Sequence, residues 1–383
     1  MQEELVNSTQ QLNAISKLAI RAGMSLELDR EKHVKFLKRH LLILPSAQQG
    51  NDVNKMAIIF YSITALGALD AGIPTAYSPN LPWICKHYVK VKLPCHSEVF
   101  SGFVGSLSTA TPTVPCISLP NTLFAMLTLK VMKCEEFFTS LLDKDSLGLF
   151  LNKLQCPDGS FASVLDMNQP EPSPVDSTDL RFCYIATAIL RLIGCRSKED
   201  FGQFIDVDRV IDYMLTKKCD IGGFGDYGEP HAGYTSCALS AFSILGCLDR
   251  LDDHFRERTV DWLLSRQVSK MGCMSLEEGH NPYHDDDEHG GFQGRENKFA
   301  DTCYVFWCLN SLSILDKTSF NSACRDGAAQ EYLLTKTQNT LVGGFSKNDQ
   351  DNPDLYHTCL GIAALGMMQG NFDGVLCIPK GFS

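Results

Sequence analysis

GGFGDYGEPHAGYTSCALSAFSILG, residues 222–246, decides how this chain folds. It opens with a Gly-Gly-Phe turn signal, passes through a polar segment, and ends in an apolar run with helical period. The signal recurs at Ser101-Gly102-Phe103, Gly159-Ser160-Phe161, Gly222-Gly223-Phe224, Gly290-Gly291-Phe292 and Gly343-Gly344-Phe345, with phenylalanines 58, 63, 68 and 53 residues apart. Each is followed by a polar turn and an apolar run: PNTLFAMLTLKVMK, DLRFCYIATAILRLIG, GYTSCALSAFSILGCL, DTCYVFWCLNSLSIL and DLYHTCLGIAALGMM. In the second run Phe182, Ile185, Ile189 and Leu192 form an apolar stripe, which Cys183, Ala186 and Leu190 widen. So little polar face remains that a helix here is buried on all sides. Asp176 or Ser177 offers its N-cap, and Gly194 its C-terminal stop.

Alternating with these runs are segments with one apolar and one charged face: HVKFLKRHLLIL ahead of the first, then DRVIDYMLTKK, TVDWLLSRQV and AAQEYLLTKTQ. Buried helices alternating with half-exposed ones predict two concentric helix rings. The expected fold is therefore an all-α α/α toroid, an α6–α6 barrel-like double ring of helical hairpins. Length alone, 383 residues, suggests two or three domains. A repeat that spans most of the chain replaces that with one toroid over 29–383, preceded by a flexible extension at 1–28.

Lys and Arg number 34 against 45 Asp and Glu, a net charge of −11 that argues against nucleic acid as a partner. No apolar stretch reaches the roughly 18 residues of a transmembrane helix. The start, MQEELVNSTQ, lacks the basic-then-apolar order of a secretory signal. Sixteen cysteines without a C-x-x-C pair read as mostly buried, reduced thiols in a cytoplasmic protein.

An inner ring of helices gathers their N-termini on one rim, where free N–H groups and helix dipoles favour an anion. Residues 229–234, Glu-Pro-His-Ala-Gly-Tyr, and 294–304, Gly-Arg-Glu-Asn-Lys-Phe-Ala-Asp-Thr-Cys-Tyr, supply His231, Arg295, Lys298 and Tyr304 to such a rim. These could converge on a diphosphate, although a solvated turn accounts for the same spacing. Asp301 and Cys303, two apart at a helix start, with His357 from the next run, make a carboxylate–thiolate–imidazole set suited to zinc. Three protein ligands with a fourth position vacant is the catalytic pattern. The denser cluster of His280, His284, Asp285, Asp286, Asp287 and His289 lies in a Gly- and Pro-punctuated segment without helical period, and reads as a solvated loop.

GGFQGRENKFADTCYVFW, with EPHAGYTSCAL upstream and DLYHTC downstream, resembles the protein prenyltransferase β subunits over nearly the whole chain from residue 29. Within that family, features of three segments resemble the type I geranylgeranyl branch and in wording the yeast type I β subunits. NKMAIIFYSITALGALD resembles the helix lining the isoprenoid pocket, with Tyr61 on it and Ala57 where the farnesyl enzymes have a tryptophan. Leu360 stands where they have tyrosine. Smaller walls leave room for a fourth isoprene unit. Lys347, in GGFSKNDQ, stands where the farnesyl enzymes carry a magnesium-holding aspartate, so the resemblance implies that magnesium is not required.

The same resemblance implies transfer of a geranylgeranyl group from geranylgeranyl diphosphate to the cysteine of a C-terminal Cys-a-a-X box, X mostly Leu, in proteins such as Rho-family GTPases. One zinc on Asp301, Cys303 and His357 would activate the thiol. His231, Arg295, Lys298, Tyr304 and Lys347 would hold the diphosphate. Arg181 matches a residue that reaches the peptide carboxylate through water, but the accompanying His and Glu are Leu119 and Ser177 here. The family β subunit forms an obligate heterodimer with an α subunit shared with farnesyltransferase. A farnesyltransferase β subunit and a non-catalytic module that escorts prenylated proteins remain alternatives. A terpene cyclase is disfavoured by the missing D-x-D-D acid motif.

Overall fold

The apolar runs become helices of thirteen or fourteen residues that stand side by side, and the half-exposed segments wrap them. The computed structural model describes residues 27–382 apart from 45–49, 52, 93, 95–96, 110–116, 166–171, 173–175, 177 and 270–286. Its main helices, in chain order, are α1 (Arg30–Leu42), α2 (Lys55–Ala68), α3 (Leu119–Val131), α4 (Lys144–Leu154), α5 (Leu180–Ile193) and α6 (Val207–Thr216). There follow α7 (Ala232–Leu245), α8 (Asp253–Leu264), α9 (Thr302–Leu315), α10 (Ala328–Glu331, continued by a π-turn to Thr337) and α11 (Leu355–Met368). Around the inner ring, α2 packs on α3, α3 on α5, α5 on α7, α7 on α9, α9 on α11, and α11 back on α2. Five Gly-Phe signals thus accompany six inner helices. The sixth, α2, has no such signal before it.

Among the described residues the named strands form three two-stranded antiparallel hairpins: β1 (Tyr88–Val91) with β2 (Phe100–Phe103), β3 (Gly225–Asp226) with β4 (Glu229–Pro230), and β5 (Phe372–Asp373) with β6 (Ile378–Pro379). Among the described residues no helix is long and apolar enough to cross a membrane.

The turns explain the repeat. All five phenylalanines, Phe103, Phe161, Phe224, Phe292 and Phe345, are fully buried. Gly222 sits at φ 98°, where a Cβ would fall 2.4 Å from the Arg258 carbonyl oxygen of α8. Gly343 sits at φ 83°, where a Cβ would fall 2.2 Å from the Lys32 carbonyl oxygen of α1. Glycine is required on both counts, because the backbone is left-handed and another helix leans on it. The last turn leans on the first outer helix, so the ring closes by the device that builds it.

A side chain repeats the closure. Gln155 bonds both backbone groups of Asp206, the N-cap of α6, at 2.8 and 2.9 Å. Gln338 accepts from the N–H of Asp29, the N-cap of α1, at 2.8 Å and donates to the Glu27 carbonyl at 3.2 Å. Glu27, and Leu28 packed against the core, are therefore tied to the ring, although they fall in the expected extension. Residues 1–26 of that extension lie outside the described residues.

Two local expectations change. The N-cap of α5 is Asp179, whose carboxylate accepts from the Arg181 N–H. Asp176 instead clamps the loop at Ser163 and Val164, and Ser177 is not among the described residues. The segment 328–337 is one turn of α-helix and a π-turn rather than one amphipathic helix. Gly194 ends α5 in the left-handed conformation, as its position suggests.

Candidate functional site

Three inner-helix starts are pinned by the neighbouring repeat. The N–H groups of Leu119, Ala232 and Thr302 donate to the carbonyls of Ser163, Gly294 and Lys347, at 2.9, 2.8 and 2.9 Å. Each acceptor lies two residues beyond a buried phenylalanine. The arrangement sets Arg295 beside the start of α7 and Lys347 beside the start of α9.

At the start of α9 the Asp301 carboxylate caps the helix by accepting from the Cys303 N–H at 2.8 Å. A carboxylate oxygen of Asp301, the Cys303 sulfur and a His357 ring nitrogen lie within 4.8 Å of one another. Among the described residues this is the one such group of three. His357 Nε2 is 3.3 Å from Asp301 Oδ1, and its Nδ1 is 2.6 Å from Asp354 Oδ2. Burial opposes charge on both groups, yet the mutual bond and attraction win. Asp301 is held below the usual carboxylate range and His357 is raised to about 9. Burial, and then the charge of Asp301, push the Cys303 thiol well up. The donor set fits zinc in kind: one carboxylate, one thiol and one imidazole whose far nitrogen is already oriented by a second carboxylate. His280, His284, Asp285 and Asp286 of the denser cluster lie outside the described residues, and Asp287 is paired with Lys336 at 2.7 Å.

Of the three donors, Cys303 lines a cavity of about 580 Å³ enclosed by the inner ring. Tyr61, Phe124, Tyr184, Trp307, Tyr356 and Leu360 are among its walls, and Cys303, His231, Tyr304 and Arg181 stand at its mouth. The volume is in the range of small-molecule sites. Tyr61 packs edge-on against Tyr356, with ring centroids 5.4 Å apart. Ala57 is not among the cavity walls. It lies one helical turn before Tyr61 and is half-buried.

His231 is the N-cap of α7, its Nδ1 accepting from the Gly233 N–H at 3.1 Å. In the neutral ring the proton therefore sits on Nε2, which is 3.2 Å from the Tyr304 hydroxyl. Burial, and then the charge of Arg295, lower the His231 pKa, so the ring is a neutral donor at pH 7. Arg295 is held by Glu229 at 2.6 Å. Lys298 and Lys347 are exposed. Arg181 is gripped in two places by Asp179, at 2.9 and 2.6 Å, and lies over the Tyr234 ring. Leu119 is fully buried. The structure thus brings together Asp301, Cys303 and His357, and His231 with Tyr304, while Lys347 lies beside the start of α9 and Lys298 four residues before it, both exposed.

Asp354, Glu229, Tyr356 and Trp307 are site residues that the sequence reading passed over. Asp354 stands three before His357 at a helix start, a spacing that could have flagged it. Trp307 donates to the Tyr356 hydroxyl at 3.3 Å, and neither carries a motif of its own.

A family model described as the prenyltransferase alpha-alpha toroid domain matches residues 28–378. The chain is 26% identical over 381 residues to the geranylgeranyl transferase type-1 subunit beta of Arabidopsis thaliana, covering 94% of this chain and 91% of that one. It is also 26% identical over 376 residues to the protein farnesyltransferase subunit beta of Pyricularia oryzae, covering 91% of this chain and 65% of that one. Among solved structures it resembles Candida albicans protein geranylgeranyltransferase-I complexed with GGPP. There the TM-score is 0.76 at 27% identity, with 93% of this chain and 97% of that one covered.

Proposed function

From the premise that this chain belongs to the prenyltransferase alpha-alpha toroid family, we propose that it is the catalytic β subunit of a type I protein geranylgeranyltransferase. It would act with an α subunit on geranylgeranyl diphosphate and on proteins ending in Cys-a-a-X, X mostly Leu, Rho-family GTPases among them. One observation carries the reading. A three-donor metal group stands at the mouth of an aromatic-walled cavity whose rim also holds a neutral His donor and a Tyr hydroxyl. A binding module needs the cavity but has no use for that donor set beside it.

Asp301, Cys303 and His357 would hold zinc, with Asp354 fixing the His357 ring. Zinc bound there supplies Lewis acidity, so that a substrate thiol binds as the more nucleophilic thiolate. The remaining chemistry belongs to the chain. The aromatic walls hold the prenyl group and exclude water. As the bond to the diphosphate breaks, negative charge grows on the departing oxygens. His231 Nε2–H supports the Tyr304 hydroxyl, and the pair lines the cavity as neutral donors, while Arg295, Lys298 and Lys347 would add positive charge around it. Lys347 takes the place of a divalent cation, so magnesium is not needed. Arg181, held by Asp179, is suited to a peptide carboxylate. Burial of Leu119 removes a polar group from the neighbourhood where the family has a histidine. The toroid would be a single domain, and the protein would work in the cytoplasm.

The farnesyl alternative keeps a specific observation in its favour, the equal identity to a farnesyltransferase relative. Co-expression with an α subunit, then assay of both diphosphates against Leu- and Ser-ended peptides, decides. Preference for the C20 donor and Leu acceptor is expected. Preference for C15, or absence of transfer, rejects the reading.

A further inference from the structure

We infer that the segment 369–382 is a plug that rises inside the ring, and that Cys377 on it is the floor that limits prenyl length. This rests on the function proposed above.

Along four of the six inner helices the cavity takes up only one half, and on α3 it runs on to Leu127. Inner helices of 14 residues are about 21 Å long at about 1.5 Å per residue. Yet the walls contributed by α5, α7, α9 and α11 reach no further than Ile185, Cys237, Trp307 and Leu360, all in the first halves of those helices. The other half is filled. Asn371 donates to the Gly366 carbonyl near the end of α11, and a Cβ on Gly67 near the end of α2 would meet Val131 and Pro379. From there the chain climbs. At Gly374 a Cβ would fall 2.2 Å from Asn310 Oδ1, midway along α9. At Val375 the carbonyl accepts from the Tyr184 hydroxyl, 2.8 Å away in the first half of α5. The top is then a tight turn. Asp373 Oδ1 accepts from the N–H groups of Val375 and Leu376, at 2.9 and 3.3 Å, and β5 pairs with β6 beneath it.

Cys377 sits in that turn at φ 55°, a left-handed conformation unusual for a side-chain-bearing residue. It is 8% exposed and lines the same cavity as Cys303 and His231. The depth available to a prenyl chain is therefore fixed by how high this turn stands and by the size of the side chain on it. The ring itself would allow a longer ligand.

The test uses Cys377→Phe and Cys377→Ala in the chain co-expressed with its α subunit. Binding of C15 and C20 diphosphates is read by quenching of Trp307 fluorescence, and transfer by kcat/KM for each donor. Cys377→Phe should lose at least tenfold in C20 affinity while C15 changes by less than threefold. Cys377→Ala should leave the C20 preference in place or widen it. Equal loss for both donors, or an unchanged ratio, overturns the floor role, because a merely structural defect cannot tell the two chain lengths apart. If Cys377→Phe does not assemble, Cys377→Met is read in its place, with a smaller shift in the same direction. Should the unaltered protein bind neither diphosphate, the proposed function fails and this inference with it. Normal C20 binding with an insensitive ratio overturns the inference alone.

Discussion

Gln338 and Asp29 stand 309 positions apart in the chain and are joined by a hydrogen bond of 2.8 Å from the Asp29 N–H to Gln338 Oε1. The same glutamine bonds the carbonyls of Glu27 and Leu334, at 3.2 and 3.0 Å. This one side chain fastens the last outer element to the first. Gln338→Ala should cost about 2–3 kcal/mol, from several bonds worth roughly 1 kcal/mol each and one part-buried N–H left without its acceptor. Chemical denaturation of the heterodimer checks it. A loss under about 0.5 kcal/mol would mean that packing of the Gly343 turn alone closes the ring.

His33 joins the same closure and makes it pH-sensitive. Its Nδ1 accepts from the Gly344 N–H at 2.8 Å, so Nε2 carries the proton toward Gln338 Oε1, also at 2.8 Å. Burial holds its pKa below the ordinary value of 6.5. Above that value the ring is neutral in both folded and unfolded chains, and its contribution is complete. Below it the unfolded chain takes up a proton that the fold resists, so stability falls as pH falls. The melting temperature should drop between pH 7 and pH 5. His33→Gln should show a shallower slope over that range, and an unchanged slope would remove His33 from the account.

Metal analysis of the purified heterodimer should give one zinc per chain. His357→Ala should lose the metal together with transfer activity. Asp354→Ala, which frees the far ring nitrogen, should weaken zinc by about 10–100-fold in a chelator competition while leaving the three ligands in place. A heterodimer without zinc would be incompatible with the mechanism.

Leu360 is a fully enclosed wall of the cavity, at 1% exposure. Leu360→Tyr should favour the C15 donor over C20 by about tenfold, since overpacking an enclosed site costs about 1–3 kcal/mol. Ala57→Trp should shift selectivity the same way if its ring reaches the cavity past Tyr61. The ratio of kcat/KM for the two donors reads both variants.

Removing magnesium should change the rate by less than twofold, because Lys347 supplies charge in its place. Lys347→Ala and Arg295→Ala should each lower kcat/KM by about 10–100-fold, in line with the loss of one charged group that stabilises developing charge. Strong magnesium stimulation of the unaltered enzyme would count against the role given to Lys347.

Much of the fold was legible because its signals are local. A Gly-Phe turn, a polar stretch and an apolar helix all lie within about thirty residues in the 222–246 unit. The grouping of Asp301, Cys303 and His357 was legible for the same reason in part: Asp301 and Cys303 share one helix start, and His357 opens the next. Other features were not. The cap of α5 went to Asp179 rather than to Asp176 or Ser177, since several polar residues compete there and only the loop geometry chooses. The sixth inner helix, α2, lacks the turn that marks the others, so the Gly-Phe repeat taken alone marks only five of the six.

The sequence by itself determined the helical repeat, the turns that need glycine, and the kinds of side chain available to the site, because these follow from spacing and residue type. Only the tertiary structure decided which of those side chains meet. Lys347 reaches the start of α9 through a carbonyl bond, His357 meets Asp301, and Gln338 finds Asp29. Segment 369–382 turns back into the barrel to set its depth. The Gln338–Asp29 bond depends on the ring closing in one register, and closure joins residues hundreds of positions apart, which no local pattern records.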